Sequence, residues 1–254
     1  MKTVDRLIKI LSDERAEPVP APAEENKHRY FRALVNVRMP KAASKEFLDV
    51  QDEYLKEQLR LKGITGIAGL KPVAPDICLW KGDITTLKCD AIVNAANSQL
   101  LGCFCPNHGC IDNAIHTFAG VQLRLECAKI MKAQGREEPA GQAKITKAYN
   151  LPCKYVIHTV GPIVCGSLTQ KHEKLLAGCY HSCLKLADAK GLRSIAFCCI
   201  STGEFHFPNE RAAEIAIKTV TEYKRQTQSK IKVVFNVFKD CDYEIYARLL
   251  QANK

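Results

Sequence analysis

The sequence lacks any long uninterrupted apolar run. Although 46% of its 254 residues are hydrophobic, no stretch approaches the roughly 20 apolar residues that a membrane-spanning helix needs. The N-terminus lacks an export signal as well, because Asp5 and Lys9 interrupt its apolar positions and no small-residue cleavage site follows. We therefore expect a cytoplasmic protein without membrane association.

A concentrated basic arm is also missing. The formal net charge of +10 favours an anionic partner such as a nucleotide, but acidic residues lie between the lysines and arginines along the whole chain. The sequence has no stripe of alternating aromatic and basic residues of the kind that follows nucleic acid. The charge is equally compatible with a role in solubility, and we expect no dedicated nucleic-acid function.

Disulfide bonds are not expected, although the chain has 13 cysteines. An odd number of cysteines in a long chain without an export signal favours reduced thiols. Cysteines inside apolar runs, such as Cys198 and Cys199, behave as small core residues. We interpret these as structural.

The spacing of apolar residues changes near residue 70 and predicts two parts. Residues 1–70 predict a helical N-terminal extension, with helices over 3–11 and 44–62. The proline- and acid-rich stretch 17–26 reads as a linker or extended arm. Residues 71–254 alternate short apolar runs with longer stretches of helical periodicity, and predict a second, larger domain.

Five apolar runs in the second part predict β-strands, and four stretches with a 3.6-residue period predict helices. The strands are expected at 77–84, 91–96, 155–161, 194–201 and 232–238. The helices are expected at 112–134, 172–190, 209–228 and 243–250. This alternation predicts an α/β fold with three α/β/α layers and a mostly parallel mixed sheet, whose ligand site lies at the carboxyl ends of the strands.

Polar segments directly follow three of the predicted strands. The segment GDIT at 82–85 offers a carboxylate to an exocyclic amine such as that of adenine, although a capped turn would have the same residues. The segment VNAANS at 93–98 ends a strand with two amides that suit a ribose, although such residues also form ordinary turns. Each segment alone is compatible with a turn.

The third segment is STGEFHFP at 201–208. Free backbone N–H groups around Gly203 at a strand-to-helix junction can cradle phosphate oxygens, and the hydroxyls of Ser201 and Thr202 add donors. Its two phenylalanines could line a ribose, but each taken singly is expected in the core.

Together, in this order and each after a predicted strand, these segments resemble the macrodomain family, which binds ADP-ribose. The resemblance runs from about Ile77 to Leu250. It implies that Asp83 contacts adenine, that Asn97 lies near the distal ribose and that the 201–205 loop wraps the diphosphate. The ADP-ribose-binding residues that it implies are Asp83, Ile84, Asn97, Cys103, Cys110, Ile111, Asp112, Ser201, Thr202, Gly203, Glu204 and Phe205.

One loop departs from the common pattern of this family. Where most members have a run of glycines, this chain has Cys103, His108 and Cys110 in the spacing C-x4-H-x-C. Thiolates and imidazole are the ligands that suit Zn²⁺ best, although such a cluster could be coincidental in so cysteine-rich a chain. The loop resembles that of the zinc-containing subgroup of microbial macrodomains. Cys105 falls at a variable position of that pattern and is not assigned to the metal.

Three protein ligands would leave one position on the zinc ion open, which is typical of catalytic rather than structural sites. Asp112 could compete as a fourth ligand, but the resemblance implies that it faces ADP-ribose. His116 lies one helical turn further on, and we expect it to be a packed histidine.

The resemblance implies hydrolysis of mono-ADP-ribose from a modified protein, with an acidic side chain as the expected attachment site. Asp112 and Asn97 are the catalytic candidates, and the zinc ion could either activate a water molecule or grip the distal ribose. The zinc subgroup further implies a lipoylated carrier of the glycine-cleavage type as substrate and a sirtuin-like ADP-ribosyltransferase as functional partner. Two alternatives remain open, namely a non-catalytic reader of ADP-ribose and a deacetylase of O-acetyl-ADP-ribose.

Overall fold

The computed structural model describes residues 3–15 and 22–252. Its strands within these residues are β1 (Thr65–Gly66), β2 (Pro72–Ala74), β3 (Ile77–Lys81), β4 (Leu87–Lys88), β5 (Ala91–Ala96), β6 (Ala143–Lys147), β7 (Tyr155–Val160), β8 (Ser194–Phe197) and β9 (Lys232–Val237). Strands β1 and β4 pair with each other, and the other described strands form one mixed sheet in the order β2-β3-β9-β8-β5-β7-β6. The mostly parallel mixed sheet predicted from the sequence is confirmed.

All five predicted strands are parallel strands in the middle of this sheet. The edge strands β2 and β6, which are not predicted from the sequence, pair antiparallel with their neighbours. Central parallel strands are covered on both faces and therefore form continuous apolar runs, whereas an edge strand such as β6, with the sequence AKITK, does not.

The described helices are α1 (Thr3–Asp13), α2 (Lys27–Val37), α3 (Lys45–Lys62), α4 (Ile111–Ala119), α5 (Val121–Gln134), α6 (Gln170–Ala189), α7 (Asn209–Thr227) and α8 (Asp240–Ala252). Helices α4 and α5 pack against each other, and α7 packs against both α6 and α8. Helices α5 and α6 both contact the edge strand β6. No helix of the described residues is long and apolar enough to cross a membrane.

The prediction of a single helix over 112–134 is wrong, because Gly120 separates α4 from α5. Its φ of +95° lies in the left-handed region that favours glycine. A Cβ atom at this position would also lie 2.6 Å from Nε2 of Gln51. The chain therefore turns here, and α5 packs its first residue, Val121, against the N-terminal extension.

The N-terminal extension has an apolar cluster of its own, formed by the inner faces of α1, α2 and α3. Helix α2 is not predicted from the sequence, because its buried apolar positions are few and lie close together at Phe31, Leu34 and Val35. Of the predicted linker, residues 17–21 lie outside the described residues, and 24–26 form a short 3-10 turn. The domain boundary near residue 70 stays a prediction.

Candidate functional site

A cleft of about 850 Å³ opens at the carboxyl ends of the central strands. Its walls are the turn after β3, the end of β5, the loop before α4 and the loop after β8. Every residue that the sequence assigns to ADP-ribose or to zinc lines this cleft. The tertiary structure thus brings the three polar segments and the cysteine-rich loop together, at a size typical of nucleotide-sized ligands.

At one end of the cleft, Asp83 caps a short 3-10 turn and also faces the open space. Its Oδ1 atom accepts hydrogen bonds from the backbone N–H (2.9 Å) and hydroxyl (2.6 Å) of Thr85. Its Oδ2 atom lies 2.9 Å from Nζ of Lys62 in α3. Burial would raise the pKa of this carboxyl, but the hydrogen bonds from Lys62 and Thr85 outweigh it and lower the pKa. A negative charge is therefore held here, and both interpretations of the GDIT segment fit the geometry.

At the other end, Asn97 and Asp112 lie side by side. The Asn97 amide donates to the carbonyl oxygen of Gly102 (3.1 Å) and to Oδ2 of Asp112 (3.4 Å). The Asp112 side chain is buried, and its Oδ1 accepts a hydrogen bond of 2.8 Å from Asn94. Burial raises the pKa of Asp112 to about 6, although the Asn94 hydrogen bond and the charge of Arg124 oppose it. This value places a titrating carboxyl close to neutral pH, where it can accept or release a proton.

Two neighbouring histidines, His116 and His158, are buried close to Asp112. His116 in α4 has its Nε2 atom 3.5 Å from Oδ1 of Asp112, and neither ring nitrogen has a hydrogen-bond partner among the described residues. His158 in β7 has its Nε2 atom 3.7 Å from Sγ of Cys127 and within hydrogen-bond distance, 2.9 Å, of the hydroxyl oxygen of Thr146. Burial lowers the pKa of both histidines, that of His158 to about 3, and keeps their rings neutral.

Residues 101–110, which we name the metal-binding loop for the zinc ion expected from the sequence, place the three candidate ligands together. The ligand atoms of Cys103, His108 and Cys110 all lie within 4.8 Å of one another, and Sγ of Cys103 lies 3.6 Å from Nδ1 of His108. Two ligands at tetrahedral angles around zinc, each at 2.0 to 2.3 Å, are separated by roughly this distance. Cys105 is exposed, and the group found within the described residues does not include it. The residues present therefore fit a zinc ion.

The phosphate loop, residues 201–205, faces this loop across the cleft. None of its backbone N–H groups has an acceptor within residues 3–15 and 22–252, and the buried hydroxyl of Ser201 likewise has no partner there. Ser201 has a φ of +65°, a conformation that is costly for a residue with a side chain. Such a run of free donors is suited to bind phosphate oxygens.

Gly161, which follows β7, makes room for the phosphate loop. A Cβ atom at this position would lie 1.9 Å from the hydroxyl oxygen of Ser201, so a larger residue would displace the loop.

The two phenylalanines of the segment 201–208 lie in different environments. Phe207 is fully buried, as expected for a core residue, whereas Phe205 lines the cleft.

Two cleft residues come from the N-terminal extension and are not predicted from the sequence. Arg32 of α2 and Lys62 of α3 both line the cleft. No local signal marks them, because lysine and arginine on a helix are most often solvated. They reach the site only because the extension packs against α4 and α5.

This chain is similar to known proteins in both sequence and fold. A family model described as Macro domain matches residues 93–216. A protein-ADP-ribose hydrolase of Treponema medium is 58% identical over 237 residues, which cover 91% of this chain and 91% of the relative. A protein-ADP-ribose hydrolase of Staphylococcus aureus strain MRSA252 is 57% identical over 218 residues, which cover 85% of this chain and 82% of the relative.

A solved structure extends the similarity to three dimensions. The Trypanosoma brucei macrodomain in complex with ADP-ribose is 30% identical, with a TM-score of 0.67, and the match covers 91% of this chain and 97% of that one. The match is thus not confined to the sheet and its helices but takes in most of the chain. On these identities and this coverage, the chain belongs to the macrodomain family.

Proposed function

We propose that this protein is a hydrolase that removes mono-ADP-ribose from a modified aspartate or glutamate side chain. The observation that supports it most is the buried carboxyl of Asp112, which lies in the same cleft as the candidate zinc ligands and two residues after Cys110. The relatives from Treponema medium and Staphylococcus aureus, named protein-ADP-ribose hydrolases, support the same activity. A non-catalytic reader of ADP-ribose would need the cleft but not a buried carboxyl beside the candidate zinc ligands.

The proposed binding mode places adenine at Asp83 and the distal ribose at Asn97. The negative charge on Asp83 would accept a hydrogen bond from the adenine amine, and the free N–H groups of residues 201–205 would hold the diphosphate. These contacts lie away from the reacting carbon. Their binding energy would fix the distal ribose against Asp112 and so lower the entropic part of the barrier.

In the proposed reaction, the bond between the anomeric carbon and the carboxylate oxygen of the modified side chain breaks. The carboxylate leaves with the bonding electrons, and the oxygen of a water molecule takes its place on the carbon. Asp112 accepts the proton that this water loses, since a pKa of about 6 leaves most of the carboxyl ionised at pH 7. Asn97 orients the Asp112 carboxylate through the hydrogen bond at Oδ2.

We propose Cys103, His108 and Cys110 as the ligands of a zinc ion at the distal ribose. When bound, zinc would supply Lewis acidity there, whether toward a water molecule or toward a ribose hydroxyl. The donor set supports this metal because thiolate and imidazole are its preferred ligands. The resemblance to the zinc-containing subgroup extends the proposal to the substrate and the location. The enzyme would act in the cytoplasm on a lipoylated carrier of the glycine-cleavage type, and it would remove the ADP-ribose that a sirtuin-like ADP-ribosyltransferase attaches.

The test is to incubate the zinc-loaded protein with a protein that is mono-ADP-ribosylated on aspartate or glutamate, and to measure released ADP-ribose. We expect turnover by the natural sequence and none by Asp112→Asn, which keeps the shape of the side chain and removes the base. Binding of ADP-ribose by both proteins without any release would instead indicate a reader. Cleavage of O-acetyl-ADP-ribose but not of the modified protein would indicate a deacetylase.

A further inference from the structure

The metal-binding loop is held by side chains that lie far away in the sequence. Arg32 of α2 donates a hydrogen bond of 2.9 Å to the carbonyl oxygen of His108. Asn36, one turn further along α2, accepts a hydrogen bond of 2.9 Å from the backbone N–H of Asn107. Both partners belong to the loop segment that carries the candidate ligand His108. Helix α2 thus fixes the backbone on either side of the peptide bond between residues 107 and 108.

A second connection runs through Asn113. Arg32 donates from Nε (3.0 Å) and Nη2 (2.7 Å) to Oδ1 of Asn113. With its oxygen fixed in this way, the Asn113 amide must point its Nδ2 the other way, and it donates to the carbonyl oxygens of Cys105 (3.0 Å) and Cys103 (3.5 Å). One guanidinium group therefore reaches the loop directly at His108 and indirectly at Cys103 and Cys105.

Arg124 of α5 connects helix α2 to the start of the metal-binding loop through hydrogen bonds. Its Nη1 atom donates to the carbonyl oxygens of Val35 (3.0 Å) and Asn36 (3.0 Å) at the C-terminal end of α2, and to that of Arg38 (2.5 Å), which directly follows the helix. Its Nε atom donates to the carbonyl oxygen of Leu101 at 2.7 Å. Arg124 is buried, so these bonds are shielded from water and hold α2 and the loop in one arrangement.

We propose that helix α2 of the N-terminal extension is a structural component of the metal site, with Arg32 as the positioning residue that holds the metal-binding loop in its ligand-ready geometry. This rests on the proposed zinc binding. The physical reason is that metal affinity depends on how little the ligands must reorganise, and groups that hold the ligands from behind set that cost. A loop that contains Gly102 and Gly109 has little rigidity of its own, so its order must come from these contacts.

The test compares three full-length variants, each loaded with zinc and titrated with a chromogenic chelator. Arg32→Met removes all three hydrogen bonds, and we expect zinc affinity to fall by about 10- to 100-fold. Arg32→Lys keeps the charge but has a single nitrogen that cannot span both acceptors, so we expect an intermediate affinity. Arg29→Met is the matched control, because Arg29 lies one turn earlier on α2, is exposed and has no hydrogen-bond partner among the described residues. The zinc affinity of this variant should equal that of the natural sequence.

Thermal unfolding of the zinc-free proteins shows whether each variant is folded, and Arg32→Lys takes the place of Arg32→Met if the latter is not. Zinc affinity equal in the Arg32 variants and the Arg29 control would overturn the inference. So would weaker ADP-ribose binding with unchanged zinc affinity, since Arg32 would then be a direct contact to the ligand. A natural chain that takes up no zinc would overturn it too, whereas normal zinc affinity with no hydrolysis would count against the proposed function alone.

Discussion

The Nε2 atom of His108 lies 3.4 Å from the Glu204 carboxylate, so the metal-binding loop and the phosphate loop meet across the cleft. The other ring nitrogen, Nδ1, faces Cys103. A metal-ligating histidine commonly donates its second N–H to a carboxylate, which fixes the ring and makes the ligating nitrogen more basic. Glu204 is placed to do this for His108, and it comes from the loop that would bind the diphosphate.

We therefore expect Glu204→Gln to lower zinc affinity by about tenfold, at the lower end of such effects because the Glu204 side chain is largely exposed. Zinc affinity is measured by competition with a chelator. Glu222→Gln, which removes a carboxylate on the surface of α7 beside Lys218, serves as the control. Equal zinc affinities for these two variants would show that Glu204 does not orient His108.

Substitution within the metal-binding loop should separate ligand from non-ligand cysteines. Cys103→Ser should abolish stoichiometric zinc binding, because a hydroxyl is a far poorer zinc ligand than a thiolate. Cys105→Ser should keep one zinc ion per chain, since Cys105 is exposed and outside the ligand group. Elemental analysis of both purified variants gives the result, and zinc lost equally from both would refute the assignment.

The pKa of Asp112 predicts the pH dependence of hydrolysis. Because the ionised carboxyl is the proposed base, kcat/KM should rise about tenfold per pH unit up to about pH 6 and level off above it. The measurement is the rate of ADP-ribose release from pH 4.5 to 8 under limiting substrate. A rate that is independent of pH across this range would exclude Asp112 as the base.

The same shift predicts how stability depends on pH. A carboxyl whose pKa is raised by folding stabilises the protein fully below its unfolded value near 4, and this contribution is lost as the pH rises through about 6. Asp112→Asn cannot titrate, so its free energy of unfolding relative to the natural sequence should increase by roughly 2 kcal/mol between pH 4 and pH 8. Urea unfolding at both pH values measures this difference. A constant difference would mean that Asp112 is not buried as described.

Gly102 should resist substitution, while Gly109 in the same loop should not. Gly102 has a φ of +81°, and a Cβ atom there would lie 2.8 Å from the His116 ring. We expect Gly102→Ala to lower the free energy of unfolding by about 1 to 3 kcal/mol and to disturb Asn97, which donates to the Gly102 carbonyl. Gly109→Ala, with open space around its Cβ position, should change stability by less than about 0.5 kcal/mol. Thermal unfolding of both variants checks this, and equal losses would contradict it.

Much of the sheet could be predicted because the physical signal is local. Strands such as β5 and β9 are buried on both faces, and burial requires the continuous apolar runs that the sequence shows. Strand β6 was missed because an edge strand needs no such run. The helix over 112–134 was predicted as one piece because its periodicity continues through Gly120, where only the positive φ and the nearby Gln51 reveal the break.

The chemical groups of the candidate site can be read from the sequence alone. Cys103, His108 and Cys110 lie within eight residues of each other, and the polar segments that end β3, β5 and β8 must meet at one edge of a parallel sheet. The contacts that hold these groups in place are visible only in the folded chain. Arg32 and Asn113 are 81 residues apart, and no local pattern marks their contact, because a pairing across such a distance depends on how α2 packs against α4 in the folded chain.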